Sequence, residues 1–454
     1  MNMEAYSRRH FWRTDSLVRI ICLAILCLGY YEACVGILQW GGIMQSRHHS
    51  YAFTGTFYNP GPFACYLAVI APMTAFAIKN GRHRLTKAAA FGMALLCAVL
   101  IPATLSRTAI LACAAGCAVA LHDPAHRLTH KRRLLLSIAI TAIICAGGAA
   151  LYMAKKDSAD GRLLMWKIAA TAAVDAPATG VGWDNVAGAY GECQERYFAS
   201  VKSSEQERTV ADAPEYVFNE YLQTAIAYGP VASLLMTALI AGAIITAWRQ
   251  RQFGLTGCVL AAAIVMAGSY PLQFTLFAST IAAVLAASYL TAGRIPVRIA
   301  GTAVTATALV LFLTHSPTSD VQAIFSTALN LHRAGDSRGS NRLLIPLLRK
   351  SADPMVPNII GKNYQELSMT DSAEFYFRKG AARCPNRMYP HYLLMKLYSD
   401  PLHEERESCR REAETILTMK VKVKSPAVDD MRDEALKTLE SLEKRPEIKE
   451  SMRR

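Results

Sequence analysis

The stretch "KAAAFGMALLCAVLIPATLSRTAILACAAGCAVALH", Lys87 to His122, decides the fold. It holds two apolar runs, 88–104 and 107–122, parted only by a tight turn near Thr104–Ser106. A helix needs about 20 mostly apolar residues to cross a bilayer. The two runs therefore read as a membrane hairpin. Outward from it lie seven more such runs: 17–38, 62–79, 134–153, 230–247, 255–270, 272–292 and 297–314. The expectation is an all-α, polytopic helical membrane protein with nine transmembrane helices.

Composition agrees. The chain has 454 residues, 52% of them hydrophobic, and the apolar ones are concentrated in 17–314. Residues 1–16 read as an N-terminal flank and 315–454 as a soluble domain. The first run follows Arg8, Arg9 and Arg13, but it is too long for a signal-peptide core and lacks a small-x-small cleavage site, so it reads as a span. The net charge of +14 does not point to nucleic acid. The basic residues sit in short loops, with no basic stripe interleaved with aromatics.

Every second loop is basic. Arg8, Arg9 and Arg13 precede span one; Lys79, Arg82, Arg84 and Lys87 follow span two. Arg127, Lys131, Arg132 and Arg133 follow span four, Arg249 and Arg251 span six, Arg294 and Arg298 span eight. The positive-inside rule makes these loops cytoplasmic. Segments 42–61, 155–216 and all that follows 314 then face outward.

Most of the twelve cysteines lie inside apolar runs, Cys22, Cys27, Cys97, Cys113, Cys117, Cys145 and Cys258 among them, where they act as small packing residues. No CxxC pair occurs, so a zinc or redox site has no support. Cys193, Cys384 and Cys409 lie outside the runs.

Residues 155–216 form the one long loop of the membrane half, with seven Lys/Arg and ten Asp/Glu. Arg162 to Ala173 reads as a helix with Leu163, Trp166, Ile168 and Ala170 on its apolar side and Asp160 as N-cap. Pro177, Gly180 and Gly182 break it. A second helix is expected from near Tyr216, in "EYVFNEYLQTAIAYGP".

Four stretches resemble the O-antigen ligase and polymerase superfamily of bacterial envelope enzymes. "GTFYNPGPFACYLA" (Gly55 to Ala68) is similar to its glycine-aromatic-asparagine entry to a span. "LSRTAIL" (Leu105 to Leu111) resembles its serine-arginine motif. "GRLLMWKIA" with "GVGWDN" resembles the opening of its large periplasmic loop, and "FNEYLQTAIAYG" (Phe218 to Gly229) the close. The resemblance covers residues 50–250. Two positions depart from the pattern: Phe218 replaces a common histidine, and Tyr228 a common glutamate. Phenylalanine takes no proton, which leaves Glu215 and Glu220, or His48 and His49 of another loop, as candidates for that role. The chain also shows fewer spans than many members.

The resemblance implies transfer of a glycan from a polyprenyl-diphosphate carrier to a glycan, lipid A core or protein acceptor. It also implies a bacterial cytoplasmic membrane location with the large loop in the periplasm. Breaking a sugar–phosphate bond leaves a diphosphate whose charge needs fixed cations, and guanidinium forks suit it. Arg107, beside Ser106 at the outer end of a span, is one candidate. Arg162 is the other; as a first-turn arginine it opposes the helix dipole, which calls for another reason for its presence. Glu220 completes the expected catalytic set. Ser106, Trp166, Trp183, Asn219 and Gln223 are the expected substrate-binding residues: Asn219, Glu220 and Gln223 share a helix face, and the tryptophans suit sugar rings or interfacial anchoring. No metal and no cofactor is expected.

In the soluble part, Gly361, Tyr364, Ala373, Phe377 and Pro385 fall at tetratricopeptide spacing, and Tyr398 stands 34 residues after Tyr364. The domain resembles a short helical-repeat module, which implies a protein partner. Two other function classes fit a polytopic chain: a transporter of a lipid-linked or small solute, and a non-catalytic scaffold displaying the repeat domain. Transporters tend to show internal repeats; here no two-fold repeat is seen, and the polar features collect at one face.

Overall fold

The computed structural model describes residues 16–81, 83–122, 156–200, 203–314, 320–401, 405–420 and 425–451. All regular structure among them is helical. They form two compact units.

The first unit comprises Met1–Lys155, Phe218–Tyr221 and Val231–Ser316. Among the described residues, five helices are long and apolar enough to cross a membrane: Ser16–Trp40, Pro60–Asn80, Arg84–Ala103, Pro230–Arg249 and Ile295–Thr314. Three more, Arg107–Ala120, Phe253–Gly268 and Thr275–Leu290, are apolar but shorter. These eight coincide with eight of the nine runs in the sequence. The ninth, 134–153, lies outside the described residues.

Pro60–Asn80 is the central helix: 78% of its apolar window is buried, against 11% for Ile295–Thr314. Pro60 opens it, and the Asn59 side chain accepts from the Gly61 N–H at 2.8 Å. That cap satisfies a donor left over at every helix start. The central helix meets Arg107–Ala120 and Phe253–Gly268 where side chains vanish. A Cβ on Gly257 would lie 2.4 Å from the Gly116 carbonyl and 2.8 Å from Pro72. Close approach through small residues is how helices associate when lipid removes the hydrophobic drive between them. Leu23, Phe91, Leu234, Leu235, Ile299 and Leu311 stay exposed, a surface suited to lipid rather than water.

The second unit comprises Lys156–Val217, Leu222–Pro230 and Pro317–Arg454. The large loop therefore packs with the C-terminal helices. Those helices run as successive neighbours: Val321–Arg333, Ser337–Leu347, Met355–Glu366, Thr370–Arg383, Met388–Ser399, Arg406–Thr418 and Pro426–Ser451. Ala373 and Phe377 are fully buried, and a Cβ on Gly361 would strike the Phe377 ring at 2.5 Å. The glycine thus lets adjacent helices touch.

Three local expectations are corrected. The loop helix runs over Lys156–Asp175, so Asp160 lies inside it rather than capping it. Its carboxylate accepts instead from Gln206 Nε2 at 2.5 Å. Gly161 does not break the helix; it faces the Val210 backbone. The buried side is Leu164, Met165, Ile168, Ala169 and Ala172, while Leu163 and Ala170 are exposed. The later helix begins at Glu220, not near Tyr216, because Phe218 takes a positive φ of 50° that no helix accommodates.

Helix Val186–Ala199 of the loop docks on the C-terminal helices. A Cβ on Gly188 would lie 2.0 Å from the Arg349 carbonyl oxygen, and one on Gly191 2.9 Å from the Ala352 Cα. Gln194 donates to the Arg383 carbonyl and, at 3.0 Å, to that of Asp212. The Arg383 side chain is fully buried; it donates to the Ser351 carbonyl at 2.8 Å and lies 3.7 Å from the Glu195 carboxylate. Burial pulls its pKa below the ordinary value, and Glu195 opposes that pull.

Candidate functional site

Two turns of the first unit carry buried carboxylates. The turn Thr54–Thr56 opens the Gly55–Ala68 stretch. Glu32 holds it: its carboxylate accepts from the Thr56 N–H at 2.9 Å and the Thr56 hydroxyl at 2.5 Å. Gln39 accepts from the Thr54 and Gly55 N–H groups, both at 2.8 Å, and donates to the Gly55 carbonyl at 2.9 Å. Gly55 has φ +60°, and a Cβ there would strike Phe63 at 2.4 Å. Glycine is required on both counts.

The second turn, Gly268–Phe274, joins two apolar helices through a short 3-10 segment at Pro271–Gln273. Its Leu272 N–H donates to Glu220 Oε1 at 2.8 Å. Glu220 is 1% exposed, and its Oε2 has no hydrogen-bond partner among the described residues. The Nε2 of Gln273, in the same turn, is also buried without one. Burial pushes the Glu220 carboxyl up to about 8, and the Leu272 N–H only partly offsets this.

The candidate residues of this unit gather around that turn. Ser106 caps helix Arg107–Ala120, accepting from the Ala109 N–H at 3.4 Å, so Arg107 is its first residue. Leu105 turns the chain with φ 54°. Thr108 then donates to the Gly268 carbonyl at 3.2 Å, which joins the serine-arginine turn to the end of Phe253–Gly268. Phe218, in the common histidine position, packs edge-on against Tyr270 at 4.7 Å. Phe57 packs against Phe274 at 5.2 Å. Asn219 immediately precedes the Glu220 helix.

The remaining candidates belong to the second unit, where the two ends of the large loop are stitched together. The Val181 and Gly182 N–H groups donate to the Ile226 and Ala227 carbonyls, both at 2.9 Å. Gly180 and Gly229 have φ +76° and +86°, and a Cβ on either would overlap the opposing backbone. Trp183 stacks on Tyr228 with ring centroids 6.0 Å apart. Gln223 is buried, and its side-chain carbonyl accepts from the Val217 N–H at 3.2 Å. Arg162 and Trp166 are half-buried on the helix Lys156–Asp175. Arg162 lies in that helix's second turn, so the first-turn dipole argument no longer applies to it.

Sequence reasoning missed the Gly268–Phe274 turn and Gln273. The signal was present: Ser269, Tyr270 and Pro271 interrupt an apolar stretch that otherwise runs from 255 to 292. It also left Glu32 without a role. His48 stacks on His49 and against Tyr51 and Tyr58. Cys193, Cys384 and Cys409 are buried and form no disulfide among the described residues. Among the described residues, no three His, Cys, Asp or Glu gather as a metal would require.

No curated protein and no solved structure matches the chain. Residues 92–237, which include Arg107, Arg162 and Glu220, match the family described as O-antigen ligase, and this match supports a place for the chain in the O-antigen ligase superfamily and a glycosyl-transferring role in general.

Proposed function

We propose that the protein transfers a glycan from a polyprenyl-diphosphate carrier to a lipid, glycan or protein acceptor at the outer face of the bacterial cytoplasmic membrane. The large loop and the C-terminal helices then lie in the periplasm, and the C-terminal helices form a divergent tetratricopeptide-like module. The observation that carries this reading is Glu220: a buried carboxyl, pushed up to about 8 by that burial, whose Oε1 accepts from the turn joined to the Ser106–Arg107 cap and whose Oε2 has no partner among the described residues.

Arg107 neutralises the diphosphate as it leaves, and Arg162, in the large loop, is put forward separately as a cation needed for use of the carrier-linked donor. A guanidinium supplies charge at a fixed position, so no metal is needed for that step. The acceptor hydroxyl attacks the anomeric carbon; the new C–O bond forms as the sugar–phosphate bond breaks. Glu220 in its ionised form takes the hydroxyl proton. A pKa of about 8 suits this, because both protonation states are populated near neutral pH. Burial of Oε2 requires that the acceptor open the turn as it binds. Ser106 fixes the start of the Arg107 helix. Trp183, stacked on Tyr228, offers an aromatic face to a sugar ring, and Trp166 is a second such ring in the large loop; Asn219, next to Glu220, offers an amide to a sugar hydroxyl. Gln223 positions the loop's close.

The test replaces Arg162 by alanine and, separately, by lysine in the native host. Membrane abundance, surface glycan and the carrier-linked pool are compared with the unmodified strain. The expected result is normal abundance, less surface glycan and a larger carrier-linked pool. Accumulated single repeat units assign a polymerase; finished long chains assign a ligase. Unchanged glycan in both variants overturns the role of Arg162 and moves the scaffold reading ahead.

A further inference from the structure

A groove of about 600 Å³ opens in the second unit. Both sequence halves of that unit line it. Arg208 and Thr209 come from the large loop; Arg378, Asn386, His391 and Arg411 come from the C-terminal helices. The volume is that of a small-ligand site.

Its charges are not all matched. Arg378 pairs with Glu374 at 2.5 Å, and His391 lies 2.7 Å from Glu412. Lys420 and Glu205 pair at the exposed rim at 3.3 Å. Arg208 and Arg411 differ. Among the described residues, Arg208 donates to the Phe198 carbonyl at 3.1 Å. Arg411 donates to Ser408 Oγ at 3.2 Å and the Glu407 carbonyl at 3.4 Å. All of these acceptors are neutral. Among the described residues, then, neither guanidinium forms an ion pair, and the two carboxylates of the lining, Glu205 and Glu412, are paired with Lys420 and His391 instead. Planar guanidinium forks bind carboxylate or phosphate bidentately.

Apart from Met419, Leu394 and Tyr398, the rest of the lining is polar or small. Thr209, Thr415 and Asn386 alternate with Ala381, Ala382 and Pro385. Leu394 and Tyr398 reach the groove but are themselves buried. An amphipathic peptide helix needs a row of apolar pockets at helical spacing, and this lining lacks one. Hydroxyl and amide groups beside unmatched cations suit an acidic sugar chain.

We propose that this groove binds an acidic oligosaccharide, its anionic groups on Arg208 and Arg411 and its hydroxyls on the neighbouring threonine and asparagine groups. The proposal rests on the transferase reading and makes the groove a holding site for the glycan.

The test uses the full chain in detergent micelles. It is titrated calorimetrically with a uronic-acid tetramer, a neutral glucose tetramer and a tetraglutamate peptide. The expected result is saturable binding of the uronate tetramer that weakens as salt rises. The neutral sugar and the peptide bind at least tenfold more weakly. The double variant Arg208→Ala with Arg411→Ala, with an unchanged melting temperature, loses at least tenfold in uronate affinity. Absence of uronate binding, or equal affinity in the double variant, overturns the proposal. So does tighter binding of tetraglutamate, which assigns the groove to acidic peptides. Arg107→Ala separates the two readings. Uronate binding retained while that variant transfers glycan normally sinks the transferase mechanism and keeps the groove. Lost transfer with no uronate binding in the parent does the reverse.

Discussion

The turns Thr54–Thr56 and Gly268–Phe274 both rest on a buried glutamate, yet the two carboxylates are used differently. Glu32 has both oxygens engaged, on the N–H and hydroxyl of Thr56. Glu220 has one oxygen on Leu272 and one with no partner among the described residues. A satisfied buried carboxylate is a clamp. A half-satisfied one carries an energetic debt, because an unmade buried hydrogen bond is expensive. Such groups persist where a ligand or a reaction completes them. On the proposed mechanism, the difference separates a structural acid, Glu32, from a reactive one, Glu220.

Glu220→Gln strains that contrast most. The amide carbonyl still accepts from Leu272, so the protein folds to its normal level. Transfer falls by about 10²–10⁴-fold, the usual contribution of a positioned acid or base. In vitro transfer from a carrier-linked glycan measures it, and a parental rate in the variant removes Glu220 from the chemistry.

The next effect is on stability against pH. The Glu220 carboxyl is raised from an ordinary 4.5 to about 8, so the folded state holds its proton where the unfolded state has lost it. Stability is therefore full below pH 4.5 and declines as pH rises to about 8. This one group accounts for roughly 3–5 kcal/mol at most. Melting temperatures in detergent across that window fall less steeply in Glu220→Gln than in the parent. Parallel curves break the assignment.

Glu32→Ala produces the opposite pattern. It strands the Thr56 donors and costs about 1–3 kcal/mol. The melting temperature drops, while transfer per folded molecule stays within a few-fold of the parent. A selective loss of transfer merges the two turns into one class. Smallest is Trp183→Ala, which removes a stacked pair worth about 0.5–1.5 kcal/mol. It weakens donor binding in a transfer assay more than it lowers the melting temperature.

The membrane helices were legible because bilayer burial writes itself locally, as unbroken apolar runs. The serine-arginine cap was legible for the same reason, as a polar break between two such runs. The equally short break at Ser269–Pro271 reads in sequence only as the connection between two spans. The buried face of Lys156–Asp175 was misplaced because its partners, Val210 among them, come from outside its own segment. Glu220 was found through its neighbourhood in the chain, but its half-used carboxyl depends on Leu272, 52 residues on. Docking of Val186–Ala199 leaves no periodic signal, since Gly188 and Gly191 read as loop glycines until Arg349 and Ala352 are placed against them.

That docking has a consequence in time. Gln194 meets the Arg383 carbonyl across 189 residues of chain. At synthesis rates of about 5–20 residues per second, roughly 10–40 s pass between the two. For most of that interval the glycine face of Val186–Ala199 lacks the Arg349 and Ala352 backbone it lies on, and Glu195 lacks Arg383. The second unit is therefore a late-closing, high-contact-order assembly. Helix Val186–Ala199 is made well before the helices that secure it, so a nascent chain cannot acquire a finished large loop before its C-terminal helices arrive.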